Sequence, residues 1–144
     1  MRIDGRWTLF DDGASRPVIW GEIRTGDGSW LKAPFLVDTG ADRTVFSAAT
    51  LAGLGLAPIA EAGISGLGGK TKSVLIETQI RLTREGQAKV LFRGQFASVT
   101  EPEALDINVL GRDITGLFAV IVDQPDGLVS LLTQQHRYKI SPPD

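Results

Sequence analysis

Apolar residues in this chain occur in short runs punctuated by glycine, a spacing that predicts many short strands joined by tight turns. Residues 17–23 read as a strand, Thr25-Gly26-Asp27-Gly28-Ser29 as a turn, and residues 30–37 as the returning strand. The clearest periodicity lies in 71–82, where Val74, Ile76, Thr78, Ile80 and Leu82 fall on one face of a period-two pattern. Arg84-Glu85-Gly86-Gln87 turns the chain into another long strand over 88–99, which Glu101-Pro102-Glu103 ends. Residues 107–110 form a short apolar strand, and 111–116 begin a short helix. Ser47 is placed to cap a further short helix over 48–53, with Gly53 ending it. Phe118 to Val122 and Leu128 to Leu132 flank Asp123-Gln124-Pro125-Asp126-Gly127, a hairpin turn. The predicted architecture is mainly antiparallel β with one or two short helices, closed into a small barrel. Residues 1–15 and 133–144 read as terminal arms around a core of 16–132, all within a single domain.

At 144 residues the chain is long enough to bury one real core and too short for a two-lobed enzyme. The net charge of -2, with basic residues scattered, leaves no electrostatic footprint for nucleic acid. The absence of cysteine excludes a disulfide framework, thiol catalysis and a thiolate metal site. No His, Asp or Glu cluster has metal-ligand spacing, so no metal or other cofactor is expected. The start, Met1-Arg2-Ile3-Asp4-Gly5, lacks the apolar stretch of a signal peptide, and no run approaches the ~20 residues of a membrane span. A cytoplasmic location with no membrane partner is therefore expected. His136, in the polar stretch Gln134-Gln135-His136-Arg137, reads as a solvated side chain, and no Gly-x-Ser-x-Gly elbow accompanies it. Trp7, Trp20 and Trp30 read as core or interface aromatics, with Trp20 and Trp30 placed to meet across one hairpin.

The chemistry concentrates in Phe35-Leu36-Val37-Asp38-Thr39-Gly40-Ala41-Asp42-Arg43-Thr44-Val45-Phe46. An apolar strand drives straight into Asp38, and burying a carboxylate is costly unless it is hydrogen-bonded. A residue type that costs stability, fixed at the end of a rigid element, is a site candidate. The triplet Asp38-Thr39-Gly40 also reads as an ordinary turn after a strand.

This segment resembles the active-site stretch of retropepsin-type aspartic proteases. Two later segments support the resemblance in the right order: Ile64-Ser65-Gly66-Leu67-Gly68-Gly69-Lys70 is similar to the glycine-rich flap, and Val109-Leu110-Gly111-Arg112-Asp113 to the apolar-apolar-Gly segment that runs beneath the catalytic loop. The resemblance implies a mainly β, retropepsin-like domain that functions as a homodimer, because the chain carries the triplet once and the mechanism needs two carboxylates sharing one proton. It implies Asp38 as the catalytic carboxylate, Thr39 as a hydroxyl locking the two catalytic loops together, and Gly40 as the residue that permits the tight loop. Ala41, Asp42 and the flap residues Gly66, Leu67, Gly68 and Gly69 would contact substrate, an extended peptide of about six to eight residues bound by strand addition. Leu110, Gly111 and Arg112 would give structural support, with Arg112 bracing Asp42 as a buried or half-buried pair; read from the residues alone, the two are as easily unrelated surface charges. Arg43, if it faces the cleft, would favour acidic substrate side chains.

The glycine-rich segment has other readings. Gly69-Lys70-Thr71 imitates the end of a phosphate loop, but Ile64 stands where the first glycine belongs and a strand follows instead of a helix. A plain hairpin turn remains open. At the level of function the alternatives to an aspartic endopeptidase are a non-catalytic peptide-binding or assembly module on the same fold, and a subunit active only when co-assembled.

Overall fold

In the computed structural model of the chain, residues 1–66, 69–133 and 142 are described, and they form eleven β-strands and two short α-helices. The hairpin predicted for 17–37 is present as β3 (Ser15–Arg24) and β4 (Trp30–Val37), with Arg24 opposite Trp30. Its turn is fixed by Asp27, whose carboxylate accepts hydrogen bonds from the Thr25 hydroxyl and from the Ser29 N–H and hydroxyl. Gly28 there has φ +86°, a conformation that side chains other than glycine rarely adopt.

Strand β7 (Gly69–Thr83) organises the rest. It pairs along 73–83 with β8 (Lys89–Val99), and on its other edge Leu82 and Ile80 meet Gly21 and Ile23 of β3. From β4 the sheet continues through β9 (Asn108–Leu110) and β5 (Val45–Phe46) to β8, so these six strands close a ring. Two of the contacts are parallel, β4 with β9 and β5 with β8. The barrel interior holds Phe35, Phe46, Ile76, Ile80, Leu82 and Leu110, all buried, with the Phe46 ring against Phe35 and Phe96. The period-two face of 71–82 is this interior face. Thr78, a polar residue on it, donates from its hydroxyl to Arg24 O at 2.8 Å.

Helix α1 (Ala48–Leu54) starts at the expected cap, where the Ser47 hydroxyl oxygen accepts from the Thr50 N–H at 3.2 Å. It runs one residue past the expected end. Leu54 is buried, and Gly55, with φ +62°, is the left-handed cap that Gly53 was expected to supply. Helix α2 (Arg112–Thr115) is a single turn.

Residues 1–15 are not an arm. β1 (Arg2–Asp4) adds to the hairpin of β10 (Ala119–Asp123) and β11 (Leu128–Leu132), and β2 (Arg6–Leu9) pairs with β3. These strands are three and four residues long, too short for alternation to register, although Ile3 between two exposed charges is fully buried. Gly5 joins them where a Cβ would lie 2.4 Å from Val18 O, so only glycine passes. The Trp7 indole N–H lies 3.1 Å from Leu128 O and 3.2 Å from Asp123 O, fastening β2 to the terminal hairpin. Trp20 is no core residue: it is 51% exposed, with the Lys32 ammonium over its ring, while Trp30 sits against Arg24 and Arg81. The expected arm over 133–144, His136 included, lies outside the described residues apart from Thr133 and Pro142. No described helix is long and apolar enough to cross a membrane.

Across the seam that closes the barrel, the Glu22 carboxylate on β3 accepts from Arg81 Nη2 at 2.9 Å and Nε at 3.0 Å, and from Lys89 Nζ at 3.1 Å. Hydrogen bonding from Arg81, then Lys89, lowers its pKa from 4.5 to about 2. A carboxylate lowered in the folded state adds stability above its unfolded pKa and loses it as pH falls toward the folded value. The stability gap between the wild type and Glu22→Gln should therefore be constant above about pH 5 and shrink steadily toward pH 2. Urea unfolding of both proteins across that range checks this; a gap independent of pH would contradict it.

Candidate active site

Phe35 and Val37 bury their side chains in the barrel, and the chain leaves β4 at Asp38. The Asp38 N–H extends the ladder to Leu110 O at 3.2 Å, after which the backbone turns back, with the Ala41 N–H donating to Asp38 O at 3.2 Å. The Asp38 carboxylate is half-buried. Its Oδ1 accepts from the Gly40 N–H at 2.9 Å, and among the described residues Oδ2 accepts no hydrogen bond. A Cβ on Gly40 would sit 3.2 Å from that Oδ1, crowding the carboxylate. Thr39 and Gly40 are exposed. A rigid, mostly buried strand thus ends in three residues turned outward, the first of them an ionisable oxygen pair with one internal partner.

Residues 110–115 cross directly against this loop. The Arg112 N–H donates to Ala41 O at 2.8 Å and the Asp113 N–H to Asp42 O at 3.2 Å. The Arg112 side chain reaches Thr39 O at 2.8 Å and also forms an ion pair with Asp42. Leu110 is wholly buried beneath the loop, and a Cβ on Gly111 would lie 2.2 Å from the Arg43 carbonyl carbon. The structure thus places Leu110, Gly111 and Arg112 against this loop. The Asp42–Arg112 pair is present but not buried, with side chains 82% and 50% exposed, so its contribution is that of a surface pair.

Sequence reasoning missed what fastens this crossing. Thr44, fully buried, donates from its hydroxyl to Asp113 at 2.7 Å and from its N–H to both Asp113 oxygens at 3.0 Å. The same hydroxyl oxygen accepts from the Gly111 N–H at 3.1 Å. Asn108, also buried, accepts from the Ser47 N–H and donates to Pro34 O, joining β4, β9 and α1. The available signal was a polar residue inside each apolar segment: Thr44 before Val45-Phe46, and Asn108 before Val109-Leu110.

The glycine-rich segment forms the expected hairpin between β6 (Ala60–Gly66) and β7, with Gly66 opposite Gly69. Residues 69–72 of β7 pair only with β6, beyond the end of β8, so the hairpin projects from the barrel. Leu67 and Gly68, two of the expected substrate contacts, lie outside the described residues. A strand follows Lys70, so no helix N-terminus meets a phosphate there. Among the described residues no group of three or more His, Asp or Glu side chains is arranged to hold a metal ion.

This arrangement, a closed barrel with a strand-end Asp-Thr-Gly loop crossed by a Leu-Gly-Arg segment and a hairpin projecting beyond the barrel wall, defines a retropepsin-like fold. The chain belongs to the aspartyl protease family, whose description matches residues 21–129. Its fold is similar to that of a retropepsin-like aspartic protease from Rickettsia conorii, with a TM-score of 0.58, 19% identity, and 91% of this chain and 90% of that one covered. It is also similar to EIAV protease complexed with the inhibitor HBY-793, with a TM-score of 0.50, 22% identity, and 76% and 92% of the two chains covered. Comparison with curated protein sequences gives no match.

The crossing makes a graded prediction for equilibrium urea unfolding. Gly111→Ala should cost about 2–3 kcal/mol through overpacking against the Arg43 backbone. Thr44→Val, which leaves the buried Gly111 N–H without a partner, should cost about 2 kcal/mol. Asp42→Asn should stay below about 1 kcal/mol. A Gly111→Ala protein as stable as the wild type would contradict the close crossing.

Proposed function

We propose that the chain is an aspartic endopeptidase that hydrolyses peptide bonds between two Asp38 carboxylates, one from each subunit of a homodimer. The observation that carries this reading is the half-exposed Asp38 carboxylate, held at a strand end by the Gly40 N–H in a chain of the aspartyl protease family that has one Asp-Thr-Gly loop. Two carboxylates brought together across a two-fold axis cannot both ionise easily, so the pair retains one proton. The ionised member takes a proton from water as that water attacks the peptide carbonyl, and the protonated member donates to the carbonyl oxygen. Thr39 links the two loops across the axis, and Gly40 keeps space open at the carboxylate. Ala41 and Asp42 offer backbone and carboxylate contacts to the substrate strand. The segment Gly66-Leu67-Gly68-Gly69 acts as the flap that closes over the peptide and excludes water.

The second subunit needs an open surface, and β10 offers one. It is the outer strand of its sheet, begins four residues after α2, and carries no charge or proline in Ala119-Val120-Ile121-Val122 to discourage strand pairing. Leu117 and Val122 next to that edge are 65% and 44% exposed. Two copies of β10 paired antiparallel would satisfy the isologous geometry of a two-fold dimer.

Two experiments test this. Wild type and Asp38→Asn are incubated at equal concentration with a mixed peptide library. Cleavage by the wild type that falls by at least about a thousandfold in the variant is expected; cleavage surviving in the variant rules Asp38 out, and a dimer that cleaves nothing favours the binding-module alternative. Because the chain has no cysteine, Ile121→Cys offers a clean test of the interface. Oxidation should give a disulfide-linked dimer from Ile121→Cys and none from Leu91→Cys on β8. A dimer in which cysteines at 120, 121 and 122 all fail to cross-link docks elsewhere.

A further inference from the structure

A cleft of about 620 Å³ opens between the β2–β3 turn, β4 and the loop that leads into β9. Its apolar lining comprises Leu9, Phe10, Leu36, Ala104, Leu105 and Ile107. Leu36 fixes where the cleft lies relative to the candidate catalytic group. Phe35 and Val37 point into the core, so strand alternation sends Leu36 to the other face. Asp38 continues the ladder on the Leu36 side, two residues on and roughly 7 Å along the chain. A peptide laid across Asp38 would therefore extend a side chain near its cleaved bond toward this cleft.

The charged lining is Asp11, Asp12, Glu103 and Asp106, with Arg16 as the one cation. Arg16 is already engaged. Its two terminal nitrogens bind the two Asp12 oxygens at 3.0 and 2.6 Å, and its guanidinium lies 4.8 Å from the centre of the Phe10 ring. Asp11, Glu103 and Asp106 form no salt bridge among the described residues. The concavity thus combines apolar walls with an excess of negative charge: Arg16, paired with Asp12 and also within electrostatic reach of Asp106, is the one cation against four carboxylates. Arg43, the basic residue that would have favoured acidic substrates, is not part of the lining.

We propose that this cleft is a specificity pocket that selects a lysine or arginine side chain close to the cleaved bond. The match is one of shape as well as sign. A lysine or arginine lays an apolar stem along Leu36 and Ile107 and carries its charge out to the carboxylates. An acidic side chain meets like charge from the three carboxylates, and the attraction and repulsion both weaken as salt rises.

The inference rests on the peptidase reading, and its test separates the two. Peptides identical except for Lys, Leu or Glu at one position within three residues of the cleaved bond are compared by kcat/KM. The Lys peptide should exceed the Glu peptide by about tenfold or more at low salt, and the ratio should fall toward one in the triple variant Asp11→Asn, Glu103→Gln, Asp106→Asn. Equal rates, or a preference for Glu, with cleavage still dependent on Asp38, would overturn the pocket and leave the peptidase. If nothing is cleaved, calorimetric binding of the Lys and Glu peptides to Asp38→Asn decides the matter. Tighter binding of Lys that salt abolishes supports the pocket; equal binding, or none, overturns it.

Discussion

The close passage of Gly111 against the Arg43–Thr44 backbone is the constraint on which the candidate site depends. Two segments that leave neighbouring strands must cross with no side chain between them, and only a residue without a Cβ allows it. The crossing then has to be held, and Thr44 holds it through a buried hydrogen bond from the Gly111 N–H and part-buried ones to Asp113, all of which a shift of either segment would break. Asp38 is held by its own bonds to the Gly40 N–H and Leu110 O, on a loop that this crossing backs. The exposed Asp42–Arg112 pair joins this arrangement from outside, and Arg112 also reaches Thr39 O.

Much of the strand order along the chain was legible, because turn chemistry and alternation are local. Asp27 and Gly28 close the β3–β4 turn with their own side chain and dihedral, and the face containing Ile76, Ile80 and Leu82 shows its period without reference to any partner. What could not be read depends on partners distant in sequence. Ile3 is buried because it meets Leu131 on a strand at the other end of the chain. The parallel contacts of β4 with β9 and of β5 with β8 have no signature within the strands themselves. Gly53 was expected to end α1, and the helix runs on to a Gly55 cap because Leu54 between them is buried.

For the site, identity was more legible than energetics. Asp38, Gly40, Gly111 and Arg112 lie together, as the resemblance implied. The burial of the Asp42–Arg112 pair was overestimated because charge complementarity in a sequence says nothing of solvent. Thr44 passed unnoticed for the opposite reason: a single threonine before an apolar pair looks like a strand residue, and its role appears only once Asp113 faces it.

The length of β7 has a mechanical consequence. One strand serves two bodies: its later residues are clamped between β3 and β8 inside the barrel wall, while 69–72 have β6 alone beside them. Any rocking of the hairpin relative to the barrel must therefore bend β7 near Ser73, where β8 ends at Val99. The hinge is set by where a neighbouring strand stops, with no glycine or proline in Lys72-Ser73-Val74 to mark it. Lengthening β8 by a residue or two would move that fulcrum toward the tip and stiffen the hairpin without altering its sequence.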